Sequence, residues 1–498
     1  MKSLSLRPLG SGLLGISATL LLLLFPLGAQ AHIGSPNVFF EGPAGPFPVR
    51  VTIQPPTVVP GLAQIHVRVH SGQPQTVTVL PVRWDAGTRG APPPDVAKLV
   101  PGETNLFTAQ LWLMNSGAYS VFVDVSGPQG HGTAIVPFNS LALQGLTMPR
   151  WMSFVSFGVG VFLLILFISI IGAAVRESVL PLGLEPARPQ RRRAASAMIL
   201  TLILAAGVLF LGARWWNQVD RNFRYNRLYQ VKAIAPILQQ QTNGQMELTL
   251  NLPPTASRKS DSTPLVPDHG QLMHLFLIRK PDGDAFAHLH PLRETERDGK
   301  TFITRLPALP TGDYDLYADI THESGFTETL TNILHLPAGI DTASTLASPD
   351  DSTDLTSPQP LAATTVPGGF HLTPATAPPF HANAETTLRF NLTTDAGTPA
   401  PLEPYLGMYG HLMIQHADGT VFAHLHPLGS ISMASQKLFA EREHATYLAN
   451  QPLDLLCAPA STTLAFPYAF PKPGRYRLWL QTKLQGQIRT VTYGITVE

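Results

Sequence analysis

A single cysteine in 498 residues, Cys457, excludes an intrachain disulfide, a zinc ribbon and a CxxC redox pair. Charged residues make up only 13% of the chain and the formal net charge is +1, so the basic excess of a nucleic-acid binder is missing. No GxxxxGK(S/T) phosphate loop occurs, and the one GxGxxG match, residues 10–15, sits in an N-terminal apolar run and follows no strand. Neither nucleotide nor nucleic acid is therefore an expected partner. Long soluble helices are disfavoured as well: Pro 47 and Gly 40 outnumber every aromatic type, a composition suited to short strands joined by turns. What is present is length for about three or four domains at roughly 100–200 residues each. A mean hydropathy of +0.10, high for a soluble protein, adds the expectation of membrane segments.

The N-terminus has the layout of a signal peptide. Lys2 and Arg7 precede an apolar run over residues 13–27, and Ala29-Gln30-Ala31 is a small-x-small cleavage site that would leave His32 first. Residues 151–175 and 194–214 are expected to span a bilayer. Between them, residues 176–193 carry Arg176, Arg188, Arg191, Arg192 and Arg193, a loop expected in the cytoplasm. Trp151, Trp215 and Trp216 would then mark the outer interface. The location that follows is a bacterial inner membrane, with both large segments in the periplasm.

Those segments share a pattern. Phe107, Phe302 and Leu464 each lie ten residues before a turn glycine, Gly117, Gly312 or Gly474, that leads into alternating residues and then a second alternating run. Repetition of a strand and closing hairpin predicts three related modules, over 32–148, 217–338 and 368–498. The expected fold class is mainly β: three immunoglobulin-like sandwiches, two transmembrane helices and a cleaved signal peptide. Residues 217–237 should lead from the membrane, with a short amphipathic helix conceivable there. Residues 339–367, rich in Ser, Thr, Pro, Ala and Asp, are expected to be a flexible linker.

None of the 17 histidines lies in a span or the Arg-rich loop. Two stretches, 273–291 and 410–427, nearly repeat one another: an apolar strand starting His-Leu, an Asp-Gly turn, and a strand ending His-Leu-His-Pro. Asp-Gly is a strong hairpin signal. A two-residue loop at Asp418-Gly419 pairs Met413 with His424 and His411 with His426. A three-residue loop, Pro281 to Gly283, pairs Phe276 with His288 and His274 with His290. Residues two apart share a strand face, as do directly paired ones. His274, His288 and His290 thus form one candidate metal triad, and His411, His424 and His426 a second. Imidazole clusters suit copper, zinc and nickel; a hydrogen-bonded histidine network is the alternative. Met413 is a further candidate beside the second triad, with Met408 and Met433 near it. His269 and Met273 flank the first triad at the opposite strand parity, and His322 could lie at the same end of that module. His32, through its α-amine and ring, would make a separate copper site, with His66, His70 and His131 as further candidate ligands. Cys457 reads as a small buried residue.

The Gly-His-Leu…His-Leu-His-Pro pattern at 410–427 resembles bacterial envelope proteins associated with heavy metals or copper, and the small modules resemble the CopC and YtkA-like families. In CopC-type proteins the mature N-terminal histidine is a copper ligand, a position His32 would match. Met273 stands where the pattern has glycine, and the Met-rich copper loops of some relatives are missing. The resemblance implies an envelope-facing copper protein, with zinc possible, that buffers, delivers or senses the ion, with the inner membrane and another envelope metal-handling protein as partners. A structural or docking protein is the second class. A cupin-like metalloenzyme is the third, and no Glu follows His426 at cupin-like spacing. No catalytic residue is assigned.

Overall fold

The computed structural model describes residues 37–181, 183–242, 245–254, 260–294, 299–338, 346–443 and 463–498. The expected signal peptide, its cleavage site, His32 and Cys457 lie outside them. Among the described residues the protein is mainly β, with six sheets and two long apolar helices.

The sheets work in pairs. The strand Gly61–Val69 alternates buried and more exposed residues, so one face only is apolar. Its inward side chains, Ile65 and Val67 among them, meet Val121 and Val123 of the Gly117–Gly127 strand in one core. A second core joins Leu248 and Leu250 to Leu275, Leu277 and Leu316. A third joins Leu388 and Phe390 to Leu412, Ile414 and Leu478. Each pair contains a long closing hairpin: Gly117–Gly127 with Gly130–Ser140, Gly312–His322 with Thr327–Leu336, and Gly474–Leu484 with Gln487–Val497. The opening glycines have φ of 140°, 137° and 135°, a backbone that a side chain would strain.

Helix α1 (Arg150–Glu177) and helix α2 (Arg188–Asn226) are long and apolar enough to cross a membrane. Their apolar side chains face outward, Phe154 at 76% and Leu209 at 64% exposure. The Arg-rich stretch is less of a loop than expected. Arg188, Arg191, Arg192 and Arg193 belong to the start of α2, which has Pro189 in its first turn, where a missing N–H costs nothing. Arg176 lies in the last turn of α1. Helix α2 also runs on past residue 214 into the segment expected to lead away from the membrane.

Residues 346–367 correct the expectation of a flexible linker. Ser352–Asp354 pairs with the Phe286–Leu289 strand, Gln359–Pro360 with Tyr493 and Gly494, and Thr364–Val366 with the Phe370–Pro374 strand. Such a composition cannot build a core of its own. It can still extend the edges of sheets already made, and here it does.

The second and third sheet pairs meet face to face. Phe276, Ile278, Phe286 and Tyr317 pack against Met413, Phe422 and Trp479. Phe286 stacks on Trp479 at 5.1 Å, and Tyr317 on Phe422 at 4.2 Å between ring centroids. Helix α3 (Met433–Arg442), capped by the Ser432 hydroxyl accepting from the Ser435 amide, joins all three parts. Ser435 Oγ donates to Gly325 O at 2.8 Å, and Gln436 Nε2 to Ile135 O at 2.7 Å.

Candidate metal centre

The hairpins have the register their turns imply: Phe276 pairs with His288 and Met413 with His424. The intervening leucines point the other way, Leu275 and Leu289 into one core and Leu412 and Leu425 into the other. The histidine faces are buried as well, because each is covered by the neighbouring sheet pair.

Within each triad, one ring nitrogen from every histidine lies within 4.8 Å of the others. The hydrogen bonds fix which nitrogens carry protons. His274 Nε2 faces Asp268 O at 3.1 Å, so Nε2 is the donor and Nδ1 holds a lone pair. His288 Nδ1 faces Gln481 Oε1 at 2.9 Å. The Gln481 amide is oriented by its Nε2, which donates to Ser352 Oγ and Thr490 Oγ1. His288 Nδ1 is therefore the donor, and its Nε2 holds a lone pair. The two lone pairs meet at 3.2 Å. The second triad has the same layout with one tautomer fixed. His411 Nε2 donates to Tyr405 O at 2.9 Å, so its Nδ1 holds a lone pair, which meets His424 Nε2 at 3.1 Å; His424 Nδ1 lies 3.6 Å from Asp319 Oδ2, beyond hydrogen-bond distance.

The third member of each triad brings an orphan. His290 Nδ1 donates to Asp351 Oδ1 at 3.0 Å, leaving its buried Nε2 without a partner. His426 has neither ring nitrogen bonded. A proton could relieve facing lone pairs, but burial opposes it. Loss of solvation, followed by the other histidines' charge, holds His274, His288, His424 and His426 well below the usual imidazole value and pushes His411 down to about 3. Asp319 moves the other way, to about 7, through burial, with Asp268 adding to the shift against a Thr329 hydrogen bond.

The triads are not separate, as two sites parted by a flexible linker would be. His274 lies 5.6 Å from His424, and His288 lies 5.8 Å from His424 and 6.5 Å from His411, between ring centroids. Within triads the separations are 4.5–5.5 Å. The supports cross over. Asp319, opposite His274 in its sheet, lies beside His424 at 3.6 Å; Gln481, opposite His411 in the other, orients His288. Beside the centre is a cavity of about 280 Å³, lined by Asp268, His269, His274, Asp319, His424 and His426 and walled by Val38 and Pro137.

His269 is closer to the centre than its strand parity suggested. It sits on a turn outside the strand, with ring centroids 4.7 Å from His426 and 5.7 Å from His411. Asp351, Asp319, Gln481 and Tyr405 were not legible as its supports, since each reaches it through tertiary packing. One signal pointed to the covered face: Phe276, Ile278 and Phe286 share strand parity with the histidines, so these strands are apolar on both sides.

The other candidates lie apart. Met413 packs in the aromatic layer between the sheets, Met273 in the core behind the first hairpin, and Met408 and Met433 with Leu428. None is needed to complete a triad. His322 bonds Glu328 Oε1 and Thr263 O. In the first sheet pair His66 sits opposite Thr52, His70 pairs with Glu41, and His131 bonds Ser126, so these three are not gathered in one place.

Residues 229–335 and 365–498, which hold both triads, match a family described as a domain of unknown function (DUF8832). No curated protein matches the chain. Solved structures similar to it include a tetra-tandem repeat from the extending region of a large adhesion protein, at 8% identity and TM-score 0.16, covering 88% of this chain and 71% of that one. Dimeric latent PorU from Porphyromonas gingivalis is similar at 8% identity and TM-score 0.16, covering 88% of this chain and 32% of that one. A membrane-anchored protein from Corynebacterium diphtheriae is similar at 8% identity and TM-score 0.14, covering 93% and 94%.

Proposed function

We propose that the two triads bind metal ions and that the protein is a membrane-anchored, periplasmic metal handler. The observation that carries this is the lone-pair contact of His274 Nδ1 with His288 Nε2 at 3.2 Å, matched in placement by His411 Nδ1 and His424 Nε2 at 3.1 Å. The first contact is repulsive unless a cation lies between, and its outer nitrogens are held as donors by Asp268 O and Gln481 Oε1. That is the usual support for a metal-bound imidazole. Three neutral imidazoles without thiolate or thioether suit Cu and Zn, and Cu binds nitrogen sites more tightly. Copper is the first choice and zinc the second. The copper-associated envelope families resembled by the 410–427 motif support the same reading, and buffering, delivery to another envelope protein or sensing are the roles open to it.

The modules are read as immunoglobulin-like sandwiches. In support, Tyr314 and Tyr476, each two residues into its closing strand, donate to the carbonyls of Pro310 and Lys472, four residues upstream. Tyrosines that fasten a sandwich corner bond in this way. Cleavage after Ala31, and a cytoplasmic turn between α1 and α2, would place all the sheets in the periplasm.

The test is metal content. Full-length protein purified in detergent, stripped with chelator and titrated with Cu(II), Cu(I) and Zn(II), should take up ion stoichiometrically. The H411A/H424A/H426A variant should take up less. Equal uptake by both proteins would overturn the reading and leave the histidines as a docking network.

A further inference from the structure

We infer that the triads form one two-ion centre with unlike halves, in which His269 supplies an additional ligand to the His411/His424/His426 ion. This rests on the metal-binding reading above and goes beyond it.

The argument starts from a duplicated turn. Asp268-His269-Gly270-Gln271 precedes the first triad, and Tyr405-Leu406-Gly407-Met408 precedes the second. Both are closed by the same bridge, first residue to fourth, and both have a left-handed second residue, with φ of 51° at His269 and 50° at Leu406. Both offer the carbonyl of their first residue to the leading histidine of the triad that follows, His274 or His411. The duplication breaks at the second position, imidazole in one turn and isobutyl in the other. A strained backbone carrying a polar side chain is a pointer to function.

The imidazole is aimed at the centre. Its side chain is 4% exposed, and its buried Nε2 has no hydrogen-bond partner, the nearest carboxylate oxygen being Asp268 Oδ1 at 3.8 Å. His426, whose two ring nitrogens are also unpartnered, is its nearest ring neighbour. Thus the turn of one hairpin reaches the triad of the other. The His274/His288/His290 triad has Tyr405 instead, its hydroxyl 3.3 Å from His288 Nδ1. One half is therefore richer by an imidazole, while the other has a phenol beside a ligand ring. Rings of different triads lie nearly as close as rings of one triad, so the two ions would share a single desolvated site in which each feels the other's charge.

The experiment uses full-length protein and Cu(II). Two ions per chain should bind, with an electron paramagnetic resonance signal broadened or diminished by coupling relative to the signal of the one-equivalent sample. His269→Leu recreates the residue that the duplicate turn already tolerates. It should still bind two ions, with the affinity of the His411/His424/His426 half lowered by at least the ~10-fold that loss of even an outer partner costs. The spectrum at two equivalents should change. Circular dichroism and melting of the metal-free variant matching wild type would show that it folds. Should the variant misfold, His269→Gln with the same readouts replaces it. Two ions giving the sum of two uncoupled signals, with no effect of either substitution, would overturn this inference and leave metal binding standing. No uptake by wild type would overturn both.

Discussion

Asp351 shows how much of the centre depends on residues with no metal-binding signature. Its carboxylate accepts from both the amide and the Nδ1 of His290, and from the Ser348 amide. Asp351→Ala should loosen His290 and weaken metal binding by about 10–100-fold, measured by competition against a chromophoric chelator. The histidines also set an acid limit. In the folded protein His411 stays neutral until about pH 3. Unfolded, it takes up a proton near pH 6.5. Between those values the unfolded chain binds more protons than the folded one, so stability falls as pH falls through that window. The other lowered imidazoles act with the same sign. Melting of the metal-free protein should drop steadily below about pH 6.5, and an unchanged melting temperature down to pH 4.5 would contradict the burial described. The same shift means that protons compete weakly for the folded site. Metal affinity at pH 6 should therefore stay close to that at pH 7, whereas an exposed triad would already be losing ligands.

The hairpins were the most legible elements. Asp418-Gly419 and Pro281 to Gly283 set their registers by turn length alone, and alternation then sorted His424 and His426 from Leu425. That local chemistry is contained in some twenty residues. What covers the histidine face is not local. Phe422, Tyr317 and Trp479 come from different strands, and their stacking exists only once two sheet pairs have docked. The strands at 352–366 were illegible for a related reason, since partners far along the chain order them. Two substitutions separate the faces. Leu425→Ala opens a hole in the core behind the hairpin and should cost about 2–5 kcal/mol, with the ligand set unchanged. Phe276 stacks on His288 at 4.4 Å, so Phe276→Ala should cost about 3–5 kcal/mol and weaken metal binding too. Thermal melts with and without Zn(II) would show the difference: added metal should restore the first variant more fully than the second.

At the scale of the whole molecule, the two apolar helices were plain in the sequence, being long uncharged runs. The meeting of three sheet pairs around helix α3 was not, because it depends on contacts such as Gln436 to Ile135 that no pattern announces. On the proposed topology, in which both helices span the membrane and the signal peptide is removed, both ends of the processed chain should face the same side. A reporter active only outside the cytoplasm, fused after Glu498, should work, and one active only in the cytoplasm should not. The crossed supports, Asp319 reaching His424 and Gln481 reaching His288, carry one more consequence. A site completed only when two faces are together couples occupancy to docking by mass action. Free ion at 100 times its dissociation constant would hold the joint closed by about 2.7 kcal/mol more than in its absence. On the proposed metal-binding reading, the tightness of that joint would gauge how much ion the compartment holds.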